Sequence, residues 1–155
     1  MVNWYDEEEV VKVVKAHLTR KGYKIRPKWG KMGPDIEAEI DEEGKRKTLI
    51  VEAKGYPTEY YARGEKSGQS KPTNPQTQAR HWVADAIFTI LLRMADAKSE
   101  NMQFVLAFPQ FKIYIDFMQR LKEIRQKLNI IVFIVNKGDI VKEFLPTEDI
   151  LNEEN

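Results

Sequence analysis

The chain has 155 residues, 42% of them hydrophobic and 32% charged, with a formal net charge of +1. That length suits one domain with its own core, and that balance excludes intrinsic disorder as the main state. It contains no cysteine and only two histidines, His17 and His81, which excludes disulfide scaffolds, zinc-thiolate sites, iron–sulfur clusters and thiol catalysis. No apolar run approaches membrane-spanning length, and the opening Met1-Val2-Asn3-Trp4-Tyr5-Asp6 lacks the basic region of a signal peptide. The expectation is a cytoplasmic protein.

The first predicted element is a helix over 6–21. Asp6 is its N-cap and Glu7, Glu8 and Glu9 suit the positive end of the dipole. Val10, Val11, Val13, Val14 and Leu18 form an apolar face, and Gly22 takes the C′ position. Tyr23 to Trp29 alternates as a short strand. Between Arg20 and Lys31 lie six basic residues and no acid. After the turn Gly30 to Pro34, the apolar Ile36, Ala38 and Ile40 alternate with Asp35, Glu37 and Glu39, giving a half-buried strand with a carboxylate face. Asp41-Glu42-Glu43-Gly44 is a hairpin turn, and Thr48 to Ala53 is a second strand. The run Leu49-Ile50-Val51 at its centre is apolar enough for a covered position.

Residues 55–75 are a long loop rich in Gly, Pro, Ser, Thr and Tyr, of a length that usually serves function. A helix follows from about Gln76 to Ala97, with Trp82, Ala86, Ile87, Ile90, Leu91 and Met94 expected inward. Gln103 to Phe108 is a strand, Phe111 to Leu128 a helix, and Ile130 to Val135 and Ile140 to Phe144 strands. The order α-β-β-β-α-β-α-β-β predicts a mixed sheet with helices on its faces, in one domain over 1–155. The segment after Gly138 is acidic.

Chemistry concentrates in the hairpin. Asp35 opens one strand and Glu52 and Lys54 end the next, so Asp35 and Glu52 can lie side by side across the ladder. Glu52 and Lys54 are two apart and share a face. Two converging carboxylates suit a hard, oxygen-preferring cation, and the Ala53 backbone carbonyl is a third candidate ligand. A lysine beside them can orient the attacking water, help to deprotonate it, and neutralise charge on a phosphate. Glu-x-Lys alone means little: Glu43-Gly44-Lys45 repeats it in a charged turn. What distinguishes Glu52-Ala53-Lys54 is its place after an apolar strand, with Pro34-Asp35 about 17 residues upstream.

The pattern Pro34-Asp35 … Glu52-Ala53-Lys54 resembles the PD-(D/E)XK nuclease superfamily, in pattern its resolvase-like and repair-type stand-alone members. The resemblance implies a restriction-endonuclease-like αβββαβ core over about 6–109, followed by an α/β extension over 110–145 and an acidic tail over 146–155. It implies that Asp35 and Glu52 bind Mg²⁺ or Mn²⁺ and that Lys54 assists the water. A glutamate on the first helix is common in that family, but the matching position is Val11. Glu7 and Glu8 lie one turn earlier, and Glu8 is the preferred substitute; solvated acids complementing the dipole are the plainer reading. Gln78, in Gln78-Ala79-Arg80-His81-Trp82, resembles a family motif that would give it a role near a phosphate or metal-bound water. His17 has no expected catalytic role. Lys28, Lys31, Arg63, Lys66, Lys71 and Arg80 are the expected nucleic-acid contacts, with Tyr56, Tyr60 and Tyr61 available for stacking. Trp4 and Trp29 are read as packing residues.

The expected activity is a metal-dependent phosphodiesterase cleaving nucleic acid, DNA in the first instance, as an endonuclease or exonuclease. The alternative is a catalytically silent nucleic-acid-binding or assembly module of the same fold. No membrane partner is expected, and the apolar stretches 84–97 and 113–128 are compatible with a homodimer.

Overall fold

A computed structural model describes residues 5–28, 30–58, 64–71, 74–97 and 101–151. Trp4, Trp29, Tyr60, Tyr61 and Arg63 lie outside the described residues. The elements are α1 (Glu7–Arg20), β1 (Lys24–Ile25), β2 (Ile36–Glu42), β3 (Lys45–Ala53), α2 (Pro75–Asp96), β4 (Met102–Pro109), α3 (Lys112–Arg120), α4 (Lys122–Leu128), β5 (Ile130–Asn136) and β6 (Ile140–Phe144). All six strands form one sheet in the order β1-β2-β3-β4-β5-β6. The β3–β4 and β4–β5 pairs are parallel and the other three antiparallel. This is the mixed α/β architecture expected, with the αβββαβ order up to β4.

Asp6 caps α1 through a capping box: its side chain accepts from the Glu9 amide at 2.9 Å, and the Glu9 carboxylate accepts from the Asp6 amide at 2.9 Å. Val10, Val13, Val14 and Leu18 of α1 pack on one face of the sheet, against Ile36, Ala38, Val51, Val105 and Phe133. Each such fully buried side chain stabilises the fold by roughly 1.5–3 kcal/mol. The other face takes α2 through Ala79, Val83, Ala86 and Ile90, and α3 through Tyr114, Ile115 and Met118. Glu43 and Gly44 join β2 to β3 with φ of 51° and 78°, the left-handed pair that matches the twist of a two-residue hairpin.

Three expectations are corrected. The strand read over Tyr23 to Trp29 keeps only Lys24–Ile25, because Pro27 has no N–H for the ladder; the pairing stops after the Arg26 amide donates to the Glu37 carbonyl at 2.9 Å. The helix read over Phe111 to Leu128 breaks at Leu121 into α3 and α4. The break leaves the Met118 carbonyl to a side chain: Arg125 folds inward and donates to it from Nε at 2.9 Å. Leu91, expected inward, is 40% exposed beside Phe88 and Leu92; it stands about 100° around the helix from buried Ile90.

His17 shares a hydrogen bond with Glu143 at 2.9 Å and meets Phe133 edge-on, tying α1 to the sheet.

Candidate active site

Register does most of the assembly. Ile36 faces Val51 in the antiparallel pair, so one step earlier Asp35 comes opposite Glu52. Asp35 is then held in place: its Oδ2 accepts from the Ala53 amide at 2.8 Å. In an extended strand the N–H and C=O of one residue point to the same side, so the Ala53 carbonyl also opens toward Asp35. Lys28 stands 3.7 Å from the other Asp35 oxygen.

Glu52 is buried, at 7% exposure, and Asp35 faces it across the β2–β3 ladder. Burial, then the Asp35 charge, push its pKa up to about 7, against the opposing pull of Arg93. Arg93, from the last turn of α2, donates from Nε to Glu52 Oε1 at 3.1 Å. Lys54 shares the Glu52 face and donates to Asp85 of α2 at 2.8 Å. Burial opposes its charge, but the Asp85 hydrogen bond and the Glu7, Asp85 and Asp35 carboxylates outweigh it and hold its pKa above the ordinary lysine value. Lys54 is therefore an ammonium here, suited to orienting and charge neutralisation rather than to taking a proton.

Of the first-helix acids, Glu7 feels the charges of Lys54, Asp35, Lys28 and Asp85; the expectation named Glu8 as the substitute ligand. Burial, with Asp35 and Asp85, raises the Glu7 pKa, while Lys54 and Lys28 lower it. Glu8 stands about 100° further around α1. The chain after Lys54 runs tightly under the start of α1. A Cβ on Gly55 would lie 2.4 Å from the Glu7 nitrogen, and the Tyr56 amide donates to the Tyr5 carbonyl at 2.8 Å. The Tyr114 hydroxyl closes this corner by donating to the Gly55 carbonyl at 2.8 Å.

Gln78 falls elsewhere. It lies two turns before Asp85, roughly 10 Å along the helix, and is 5% exposed. Its Nε2 donates to the Thr58 carbonyl at 3.0 Å and its Oε1 accepts from Lys71 at 3.1 Å. Lys71 also donates to Thr58 Oγ1 at 3.2 Å and stands over the Trp82 ring. Gln78 and Lys71 thus pin the long loop to α2. Burial lowers the Lys71 pKa, and its amine is half-buried against Thr58, Gln78 and Trp82. Tyr56 packs edge-on to Phe111 rather than standing free for a base. Lys28, Lys31, Lys66 and Arg80 are exposed, and of these Lys28 adjoins the acids.

Sequence reading missed Arg93 and Asp85. A signal exists: each is a charge set in an apolar helical run, Ala84-Asp85-Ala86 and Leu91-Leu92-Arg93-Met94. A cavity of about 690 Å³ lies between the β2–β3 turn and the starts of β4 and β5, lined by Lys45, Arg46, Asn101 and Asn129. None of the expected site residues lines it.

Among the described residues no cluster of three or more His, Asp or Glu is arranged to hold a metal ion. Two carboxylates and a carbonyl are nevertheless a donor set that suits a small hard dication, with water or phosphate completing its shell. The mutual repulsion of Asp35 and Glu52 is the charge state such an ion relieves.

No helix among the described residues is long and apolar enough to cross a membrane. No protein-family model matches this chain, and no curated protein matches it. Among solved structures, an XisH family protein from Nostoc punctiforme is similar over 88% of this chain and 98% of its own, at 17% identity and a TM-score of 0.47.

Proposed function

We propose that this chain is a divalent-cation-dependent phosphodiesterase acting on nucleic acid, DNA in the first instance. The observation that carries the reading is the pairing of Asp35 with Glu52 across the β2–β3 register, with Lys54 on the same face two residues on. Asp35, Glu52 and the Ala53 carbonyl would hold Mg²⁺ or Mn²⁺, which supplies Lewis acidity toward a phosphate oxygen when bound. Lys54 sits where an ammonium can orient the attacking water and offset charge gathering on the phosphate. The hydrogen bond to Asp85 aims that ammonium, and the Asp85 and Glu7 carboxylates favour its charge. Exposed Lys28 and Lys31 supply positive charge toward the backbone on the acidic side of the sheet.

One observation favours a second reading, a nucleic-acid-binding module without turnover. Each charged group of the cluster already has a protein partner: Glu52 has Arg93, Lys54 has Asp85, and Asp35 has Lys28 and the Ala53 amide. A cleavage assay on linear, circular, single-stranded and branched DNA with Mg²⁺ or Mn²⁺ separates the two. Cutting that is lost in EDTA and in Lys54→Ala supports the phosphodiesterase. Salt-sensitive binding without cutting supports the module, and wild-type cutting by Lys54→Ala refutes the assigned site.

A further inference from the structure

Arg93 joins three segments with one guanidinium. It sits on α2, its Nε donates to Glu52 at the end of β3, and its Nη1 and Nη2 lie 3.5 and 3.4 Å from the Met32 carbonyl in the turn before β2. Among the described residues this turn shows few other contacts: the Met32 side chain is 89% exposed, and beyond the chain neighbours no described atom lies within 4 Å of where a Cβ would stand on Gly30 or Gly33. The guanidinium also supplies the positive charge on the buried side of the Asp35–Glu52 pair, while Lys28 supplies it on the exposed side at 3.7 Å.

A dication bridging Asp35 and Glu52 competes for the same place. If it used Glu52 Oε1 it could stand no further from Arg93 Nε than about 5 Å, a metal–oxygen bond added to the present contact. At that range in a half-buried site, repulsion between a double and a single positive charge exceeds what one charge-assisted hydrogen bond returns.

We propose that Arg93 is a positioning residue, an internal counter-cation that holds Glu52 and the 30–34 turn until a divalent cation displaces it. The proposal rests on the reading of Asp35 and Glu52 as cation ligands. Displacement frees the guanidinium from Glu52 and releases the Met32 carbonyl. The arriving ion thereby unpins the turn and leaves a planar cationic fork at the rim of the site, a shape matched to a phosphodiester's oxygens.

The test is a calorimetric Mn²⁺ titration of the whole chain as wild type, Arg93→Met, Arg93→Lys and Asp35→Asn, with amide hydrogen exchange of residues 30–34. Arg93→Met is expected to bind Mn²⁺ at least about tenfold more tightly than wild type, about 1.4 kcal/mol. Arg93→Lys, which restores the charge, returns the affinity toward wild type. In the wild type, Mn²⁺ is expected to speed exchange in the 30–34 turn, a reading that needs no variant to fold. Equal or weaker binding by Arg93→Met, or exchange unchanged by Mn²⁺, overturns the proposal; so does a lower melting temperature with unchanged affinity, the mark of a purely structural arginine. Asp35→Asn separates the two levels. If it abolishes binding while Arg93→Met fails to tighten it, only the role of Arg93 falls. If wild type and Asp35→Asn bind alike or not at all, the ligand assignment falls and this proposal with it.

Discussion

Gly55→Ala tests how the site is built. The new Cβ would stand 2.4 Å from the Glu7 nitrogen, 2.7 Å from the Asp6 carbonyl carbon and 3.0 Å from Asp6 Cα. All three are backbone atoms of a capped helix start, so no side chain can swing aside. Relief requires moving the first turn of α1 off the chain after β3. That movement weakens the hydrogen bond from the Tyr56 amide to the Tyr5 carbonyl. Overpacking of this kind costs about 2–3 kcal/mol, which in a chain of this length lowers the melting temperature by about 4–12 °C. Thermal and urea unfolding followed by circular dichroism give both quantities. Gly33→Ala is the internal control: its Cβ meets nothing within 4 Å, and the change is expected to be neutral or stabilising by about 0.4–1 kcal/mol through the unfolded chain. Wild-type stability in Gly55→Ala, or an equal loss in Gly33→Ala, would refute the close packing of α1 on the end of β3.

Three further outcomes are expected. Burial opposes the charge of Glu143, but Lys21 and His17 outweigh it and hold its pKa below the ordinary 4.5; the stability it contributes is present above that value and lost as pH falls through the lower folded value. The urea midpoint of Glu143→Gln should therefore lie below wild type near pH 6 and converge with it as pH falls below the lowered folded value, and a pH-independent gap contradicts this. Arg125 is 2% exposed, donates to the Met118 and Glu148 carbonyls, and leaves Nη1 without a partner. Arg125→Ala should cost about 2–4 kcal/mol and expose the 145–151 segment to limited proteolysis, while the volume-retaining Arg125→Met costs less; the reverse order would show that the charge itself is needed. Because Gln78 bonds to the loop at Thr58, the proposed phosphodiesterase activity predicts that Gln78→Ala raises KM for nucleic acid with little change in kcat. A fall in kcat at constant KM would restore Gln78 to the chemistry.

Much of the site was legible because it is local. Asp35 and Glu52 are separated only by a hairpin, and a two-residue turn at Glu43-Gly44 leaves one register that buries Ile36, Ala38, Leu49 and Val51 together. That register by itself sets the two acids opposite each other, and the two-residue period puts Lys54 on their face. The ends of α1 were legible for a similar reason, since Asp6, Glu9 and Gly22 act within one turn of the chain.

What only the tertiary structure decided depends on rotation and approach between distant elements. Whether Glu7 or Glu8 turns its charge toward Lys54 depends on about 100° of helix phase, set by where Val10 and Val14 seat on the sheet. Arg93 and Asp85 reach Glu52 and Lys54 across 41 and 31 residues, because α2 packs its Ala79–Val83–Ala86–Ile90 ridge on β3 and β4. Gln78 rides the same helix but falls two turns short. The break at Leu121 carries no glycine or proline to announce it, and is held by Arg125 turning inward to the Met118 carbonyl. Short-range turn and strand geometry therefore determined the acids and the lysine, while the counter-charges that tune them came from helix packing, which no local pattern encodes.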